Sequence, residues 1–540
     1  MNLFRTFIVT LLLSIGTASA QNSVSKVWVA DQGDGTYKNP VLYADYSDLD
    51  VCRVGDDFYM TASSFNCIPG LPILHSKDLV NWTMIGHAMR QQPPDAVFAS
   101  PQHGLGVWAP AIRFHNGEFY IYYGDPDFGI YMTKTKDPAG DWEPLTMVKP
   151  GKGLIDPCPF WDDDGQAYLV YAYAGSRAGI NSLLMLTRLS ADGKQIVGES
   201  RVVFDGHDHD PTVEGPKLHK RNGYYYIFAP AGGVRNGWQL ALRSKNIWGP
   251  YERKIVMARG TTAINGPSQG GWVDTPSGEH WFMHFQDVGV AGRVAHLQPM
   301  VWKNDWPLIG EDKSGDGCGE PVLAWKKPNV GNTSPAATPA DSDEFTGSTL
   351  GLQWQWHANS QPWWGFINQE KKCLNLYSVP IPANYQNLWD VPNLLLQKFP
   401  APEFTVTTKM TLVPNPHIKG ERTGLLVMGQ DYALLSVENT AGGFVLSQVE
   451  CLRAERGTPE QTNASVTLKD PTMYLRVTVK LSSICMFSYS ADGREFTDLG
   501  KSFRAKEGRW IGAKVGVFCS RPVWNNGGGR VEVDWFRFEK

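Results

Sequence analysis

A turn-plus-strand unit that returns along the chain constrains the fold more than any other feature. It reads VGDDFYMTAS around Asp56, FHNGEFYIYYG around Gly117, WDDDGQAYLVYAY around Gly165, KRNGYYYIFAP around Gly223 and TPSGEHWFMHF around Gly278. Each copy places Asn, Asp, Ser or Gly between two runs rich in aromatic and β-branched residues. Those turn residues accept the positive φ that a tight hairpin demands. The copies are spaced by roughly 50 to 60 residues, room for four short strands and their loops, which is one propeller blade. Five copies predict a five-bladed β-propeller. No long stretch carries apolar residues at i, i+3, i+4 and i+7, so the whole chain is expected to be all-β.

Counting back about a dozen residues from the aromatic strand position of each copy reaches the expected start of the preceding strand. The residues met there are Asp48, Trp108 (with a one-residue slip), Asp156, Glu214 and Gln269. The innermost strands of a propeller line one channel, so these five positions converge. Three carboxylates, an indole and an amide would share a pocket. Breaking a glycosidic bond with inversion needs one carboxylate to take a proton from water and a second, still protonated, to give one to the leaving oxygen. A third acid beside the proton donor raises the donor's pKa and orients it. Asp50 and, more weakly, Asp45 rival Asp48 as the base, because strand alternation would put Asp48 and Asp50 on one face.

The blocks LIDPCPFWDDDG around Asp156, VEGPKLHKRNGYYY around Glu214 and NPVLYADYSDLDVCRVGDDFYM around Asp48 resemble the three catalytic blocks of glycoside hydrolase family 43. The similarity extends through FNCIPGLPILHSKDLVNW, GVWAPAIRFHNGEFYIYYG and GRVAHLQPMVWKNDWPLIG. The resemblance implies a five-bladed propeller with Asp48 as general base, Asp156 as the pKa-tuning acid and Glu214 as general acid. It also implies that Arg293 contacts the bound sugar or the region of the catalytic acid. Two departures stand out. Ser47-Asp48-Leu49 replaces the usual Pro-Asp-Pro, and blade five reads GPSQGGW, with Ser268 and Gln269 where many members place a His. No metal or cofactor is therefore expected, and His207 and His209 in the HDHDP loop are read as loop residues.

Substrate contacts are expected from Trp108 and Phe65 as stacking faces and from Arg293 and Gln269 as polar groups; Arg235 and Trp238 are candidates for a neighbouring subsite. The reading is an exo-acting, inverting hydrolase that releases terminal α-L-arabinofuranosyl units from plant cell-wall polysaccharides or oligosaccharides. A terminal β-D-xylosyl activity is the alternative. A non-catalytic carbohydrate-binding propeller is the contrasting class, and retention of all three acids argues against it. With a net charge of -4 and a pI near 6.3, the chain has no basic footprint for nucleic acid.

Residues 1–20, with Arg5, an apolar run and Ala18-Ser19-Ala20, read as a secretory signal peptide without a lipid-anchor cysteine after it. An exported protein, periplasmic or extracellular and without a membrane anchor, is expected. The propeller should occupy 21–325, followed by a Pro/Ser/Thr/Ala-rich linker over 326–342. Residues 343–540 resemble the concanavalin-like β-sandwich of the family's xylosidase and arabinofuranosidase branch. The loop Trp524-Asn525-Asn526 is its expected contribution to the rim of the pocket. The eight cysteines are widely spaced, with no C-x-x-C pair, and their connectivity is not legible.

Overall fold

Each of the five turn-plus-strand units opens a four-stranded antiparallel sheet in the computed structural model, which describes residues 24–264, 266 and 268–540. The leader-like run 1–20 lies outside the described residues. Blade one is Asp50–Val54, Asp57–Thr61, Gly70–Ser76 and Trp82–Met89. Blade two is Trp108–His115, Glu118–Asp125, Gly129–Thr135 and Thr146–Pro150. Blade three is Leu154–Trp161, Ala167–Tyr173, Leu183–Leu189 and Arg201–Asp205. Blade four is Lys217–Arg221, Tyr224–Ala231, Trp238–Ser244 and Glu252–Ala258. Blade five is Ser268–Asp274, His280–Asp287, Arg293–Lys303 and Trp306–Ile309.

The inner hairpins follow from turn chemistry. Asn116-Gly117 and Asn222-Gly223 both have positive φ at the two central positions, as a two-residue hairpin loop requires. An added Cβ at Gly117 or Gly223 would meet nothing within 4 Å, so these glycines are needed for backbone conformation and not for space.

The ring closes without strand exchange between blades. Leu42 and Ala295 exchange backbone hydrogen bonds of 3.3 and 3.1 Å, and Thr36–Lys38 pairs antiparallel with Ala324–Lys326. Blade one packs on blade five through Phe58, Met60 and Trp82 against Val273, Trp281 and Leu297, all buried. Each such large side chain removed from water contributes about 1.5–3 kcal/mol.

Residues beyond the connector form two eight-stranded sheets. One is centred on Lys514–Arg521 and Arg422–Met428, the other on Phe404–Val413 and Arg530–Glu539. Their inner faces bury Val406, Leu435, Leu475, Val517 and Phe536 between them, as two packed antiparallel sheets do. The connector is tied down: Ala337 N donates to Asn81 Oδ1 of blade one, and Ser25 N donates to Thr338 Oγ1. Sandwich and propeller are also joined by reciprocal hydrogen bonds between Ile68 and Trp356 and by Asn66 Nδ2 donating to His357 O. All eight cysteines are free thiols, and six of them are buried. Among the described residues no helix is long and apolar enough to cross a membrane.

Candidate active site

The inner strand of a blade does not run straight past the axis. Its register shifts between Trp108 and Ala111 in blade two, between Ile155 and Cys158 in blade three and between Ser268 and Gly270 in blade five. Such bulges re-aim side chains. Asp48, Ala109, Asp156 and Gly215 all adopt left-handed φ, at 51°, 38°, 57° and 60°. These four are the structurally equivalent positions. Glu214 therefore stands one residue ahead of the strict repeat, as Trp108 does, and the sequence count had given the slip to Trp108 alone. Gly215 cannot be another residue: besides its φ, an added Cβ would lie 2.5 Å from Cγ of Gln269.

The seven residues singled out in the sequence, Asp48, Phe65, Trp108, Asp156, Glu214, Gln269 and Arg293, all line one cavity of about 710 Å³ at the propeller axis. Asp48 is 7% exposed; its Oδ1 accepts from Arg293 Nη1 at 2.6 Å and its Oδ2 from Ser63 Oγ at 2.7 Å. Ser63 Oγ in turn accepts from Ala109 N at 2.8 Å. Asp156 Oδ2 accepts from Gln269 Nε2 at 2.9 Å and from Gly215 N at 2.7 Å. That second bond fixes the backbone next to Glu214.

Electrostatics separate the three acids. Burial, then the negative charges of Asp156 and Asp48, push the Glu214 carboxyl well above the ordinary range, with Arg293 opposing. Burial and the Asp48 charge likewise raise Asp156, against Lys217 and the two hydrogen bonds just named. Lys217 is fully buried, and its amine has no hydrogen-bond partner among the described residues. The result is one ion-paired carboxylate facing a carboxyl that keeps its proton near neutrality.

The rival acids are structural. Asp50 is completely buried, its Oδ2 bonded to Ile112 N at 2.9 Å and to Arg113 Nη1 at 2.5 Å. The alternation argument fails because the left-handed φ of Asp48 breaks the pleat before the strand begins at Asp50. Asp45 accepts from backbone amides and leaves the cavity to its neighbours. Trp238 is also turned away from the pocket: its Nε1 donates to Asp210 Oδ1, which also pairs with Arg253. Arg235 does line the cavity. His207 bonds Asp205 across its own loop, and no group of His, Cys, Asp and Glu suited to a metal occurs among the described residues.

The sandwich does reach the pocket, but not with the expected loop. Trp524 is 78% exposed and lines nothing there. Gln430 and the turn Glu507–Ile511 form the wall instead. Trp510 packs edge-on against Trp108 with centroids 6.3 Å apart, and the Arg293 guanidinium lies 5.7 Å from the Trp510 ring and 4.9 Å from Phe285. GRWIG is a tryptophan in a glycine-flanked turn, a pattern that nothing in the sequence distinguishes from other surface turns.

A carboxylate and a protonated carboxyl sharing one pocket with aromatic walls are the pair of groups that glycoside hydrolysis requires. Family comparison agrees. Residues 37–307 match the model of glycosyl hydrolases family 43, and 342–539 match the β-xylosidase C-terminal concanavalin A-like domain. The chain belongs to glycosyl hydrolases family 43. It is 39% identical over 504 residues to a putative β-xylosidase of Xylanibacter ruminicola, covering 92% of this chain and 88% of that one. It is 32% identical to a β-xylosidase of Formosa agariphila, covering 94% and 91%. A non-reducing-end α-L-arabinofuranosidase of Bacteroides ovatus is 26% identical, covering 95% and 97%. The solved xylan β-1,4-xylosidase of Bacillus halodurans shares the fold, with a TM-score of 0.81 at 23% identity over 93% of this chain and all of that one.

Proposed function

We propose that this enzyme is an exo-acting, inverting glycosidase that removes terminal β-D-xylosyl units. The observation that carries the reading is the pairing of an Arg293-bound Asp48 with a Glu214 that burial and its acidic neighbours keep protonated. In the reaction Asp48 takes a proton as water oxygen bonds to the anomeric carbon. Glu214 gives its proton to the glycosidic oxygen as that bond breaks, and Asp156 keeps Glu214 charged with its proton and positioned through Gly215 N. A cavity walled by all five blades and the sandwich suits a chain end better than a chain passing through.

The xylosyl preference rests on the relatives at 39% and 32% identity over nearly the full chain, named a putative β-xylosidase and a β-xylosidase. They favour the second of the two activities read from the sequence over the first. The arabinofuranosyl reading keeps the support of the Bacteroides ovatus enzyme at 26% identity over nearly the full chain, and of two relatives named xylosidase/arabinosidase at 30% and 31% identity over half of it. Wild type, Asp48→Asn and Glu214→Ala assayed on 4-nitrophenyl β-D-xyloside and α-L-arabinofuranoside, with proton NMR of the first-formed sugar anomer, test the proposal. Faster xyloside cleavage, an inverted anomer and loss of on the order of 10²-fold or more in Asp48→Asn are expected, with a loss in Glu214→Ala that is smaller on these activated aryl leaving groups than on xylobiose. Full activity in both variants, or a retained anomer, would overturn it.

A further inference from the structure

Asp45 is 4% exposed and takes no part in lining the sugar pocket, yet three donors converge on its two oxygens. Oδ1 accepts from Ser47 Oγ at 2.8 Å and from the backbone N of Arg293 at 2.9 Å. Oδ2 accepts from the backbone N of Gly512, in the sandwich, at 3.0 Å. Next to that contact Ala513 N donates to Val290 O of the propeller at 2.7 Å. The seam has no slack: a Cβ on Gly292 would lie 2.6 Å from Asp45 Cγ, and one on Gly512 would lie 2.7 Å from the carbonyl carbon of Ala291.

Both segments held by this carboxylate end in pocket residues. Arg293 sends its guanidinium to Asp48, and Trp510, two residues before Gly512, closes over that guanidinium and meets Trp108. A carboxylate suits the position because it only accepts hydrogen bonds. An amide of the same shape would turn an NH₂ toward at least one of the three donors and leave a buried group unpaired.

We propose that Asp45 is a positioning residue for the hydrolysis, locking the sandwich turn Gly508–Gly512 to blade five so that Trp510 and Arg293 hold the pocket's working geometry. The proposal rests on the assignment of Asp48 as the base. The sandwich thereby acts on turnover through a carboxylate that never touches the sugar.

The test is a double-mutant cycle in the full chain: wild type, Asp45→Asn, Trp510→Ala and the double variant, read as kcat and KM on xylobiose and as xylose binding by tryptophan fluorescence. Displacement of a positioned group by about 1 Å costs on the order of 10²-fold, so Asp45→Asn should lose roughly 10-fold to 10²-fold in kcat/KM. The double variant should lie within about 3-fold of Asp45→Asn, because the loop that Trp510 depends on is already released. Losses that multiply would overturn the proposal. Should Asp45→Asn fail to fold, Gly512→Ala displaces the same turn from the other side with Asp45 intact. The same non-multiplying loss with Trp510→Ala is expected there, and wild-type kinetics in Gly512→Ala would overturn the proposal. Asp48→Asn run alongside separates the two readings: full turnover in it refutes the base assignment, while coupling of Asp45 to Trp510 in xylose binding is scored independently of turnover.

Discussion

Replacing Asp156 by Asn should move the alkaline limb of the pH profile toward acid. The substitution preserves size, and an amide oxygen can still accept from Gly215 N and Gln269 Nε2, so the backbone beside Glu214 keeps its support. What disappears is a negative charge close to Glu214. That carboxyl is pushed from 4.5 to about 8, first by burial and second by Asp156. A displacement of that size favours the protonated form by about 5 kcal/mol. Asp156 is the second of the raising causes after burial, and each 1.4 kcal/mol of its charge's effect corresponds to about one pH unit. The general acid works only while protonated, so activity is lost as pH rises through its folded-state value. In Asp156→Asn that loss should come about one unit lower, while burial and Asp48 keep it above the ordinary glutamate range. The assay is kcat/KM against pH on xylobiose, whose poor leaving group requires the proton; an activated aryl xyloside should show a flatter limb. A limb that stays in place, or moves toward alkali, would refute the account of how Glu214 holds its proton.

Two further outcomes test the division of labour among the acids. Asp50→Asn should cost stability, up to about 3–5 kcal/mol for stranding the largely covered Arg113, measured as the urea-unfolding free energy, while the shape of the pH profile stays that of wild type. A large loss of turnover at unchanged stability would instead make Asp50 the base. Glu214→Gln should be inactive yet more heat-stable in alkali: the folded protein binds the Glu214 proton more tightly than the unfolded chain, so wild-type stability falls as pH rises from 4.5 through about 8. Calorimetry should find the variant's Tm higher by about 2 °C or more near pH 9, with the gain gone near pH 4; an equal difference at both would contradict the linkage.

Much of this architecture was legible as local chemistry. Asn-Gly and Asp-Gly turns between aromatic runs specify hairpins whose geometry depends on neighbouring residues alone, and their spacing counts the blades. The acids were found the same way, since Asp48, Asp156 and Glu214 recur near one place in the repeat. Register was less legible. Whether a side chain faces the axis depends on bulges and on a left-handed residue at Asp48 and Asp156, conformations that a non-glycine residue adopts only where tertiary contacts hold it. That is why Asp50 competed with Asp48 on paper and is instead consumed by Arg113.

By itself the sequence determined the five-bladed propeller, the sandwich that follows it and the acids that meet at the axis, because each is written in short-range patterns. Only the tertiary structure decided which sandwich loop completes the pocket. Trp510 and Trp524 sit in similar polar, glycine-containing turns, and what separates them is a contact across more than 460 residues, Gly512 N on Asp45. A hydrogen bond between segments so far apart leaves no periodicity in either one, so it becomes visible only once the chain has closed on itself.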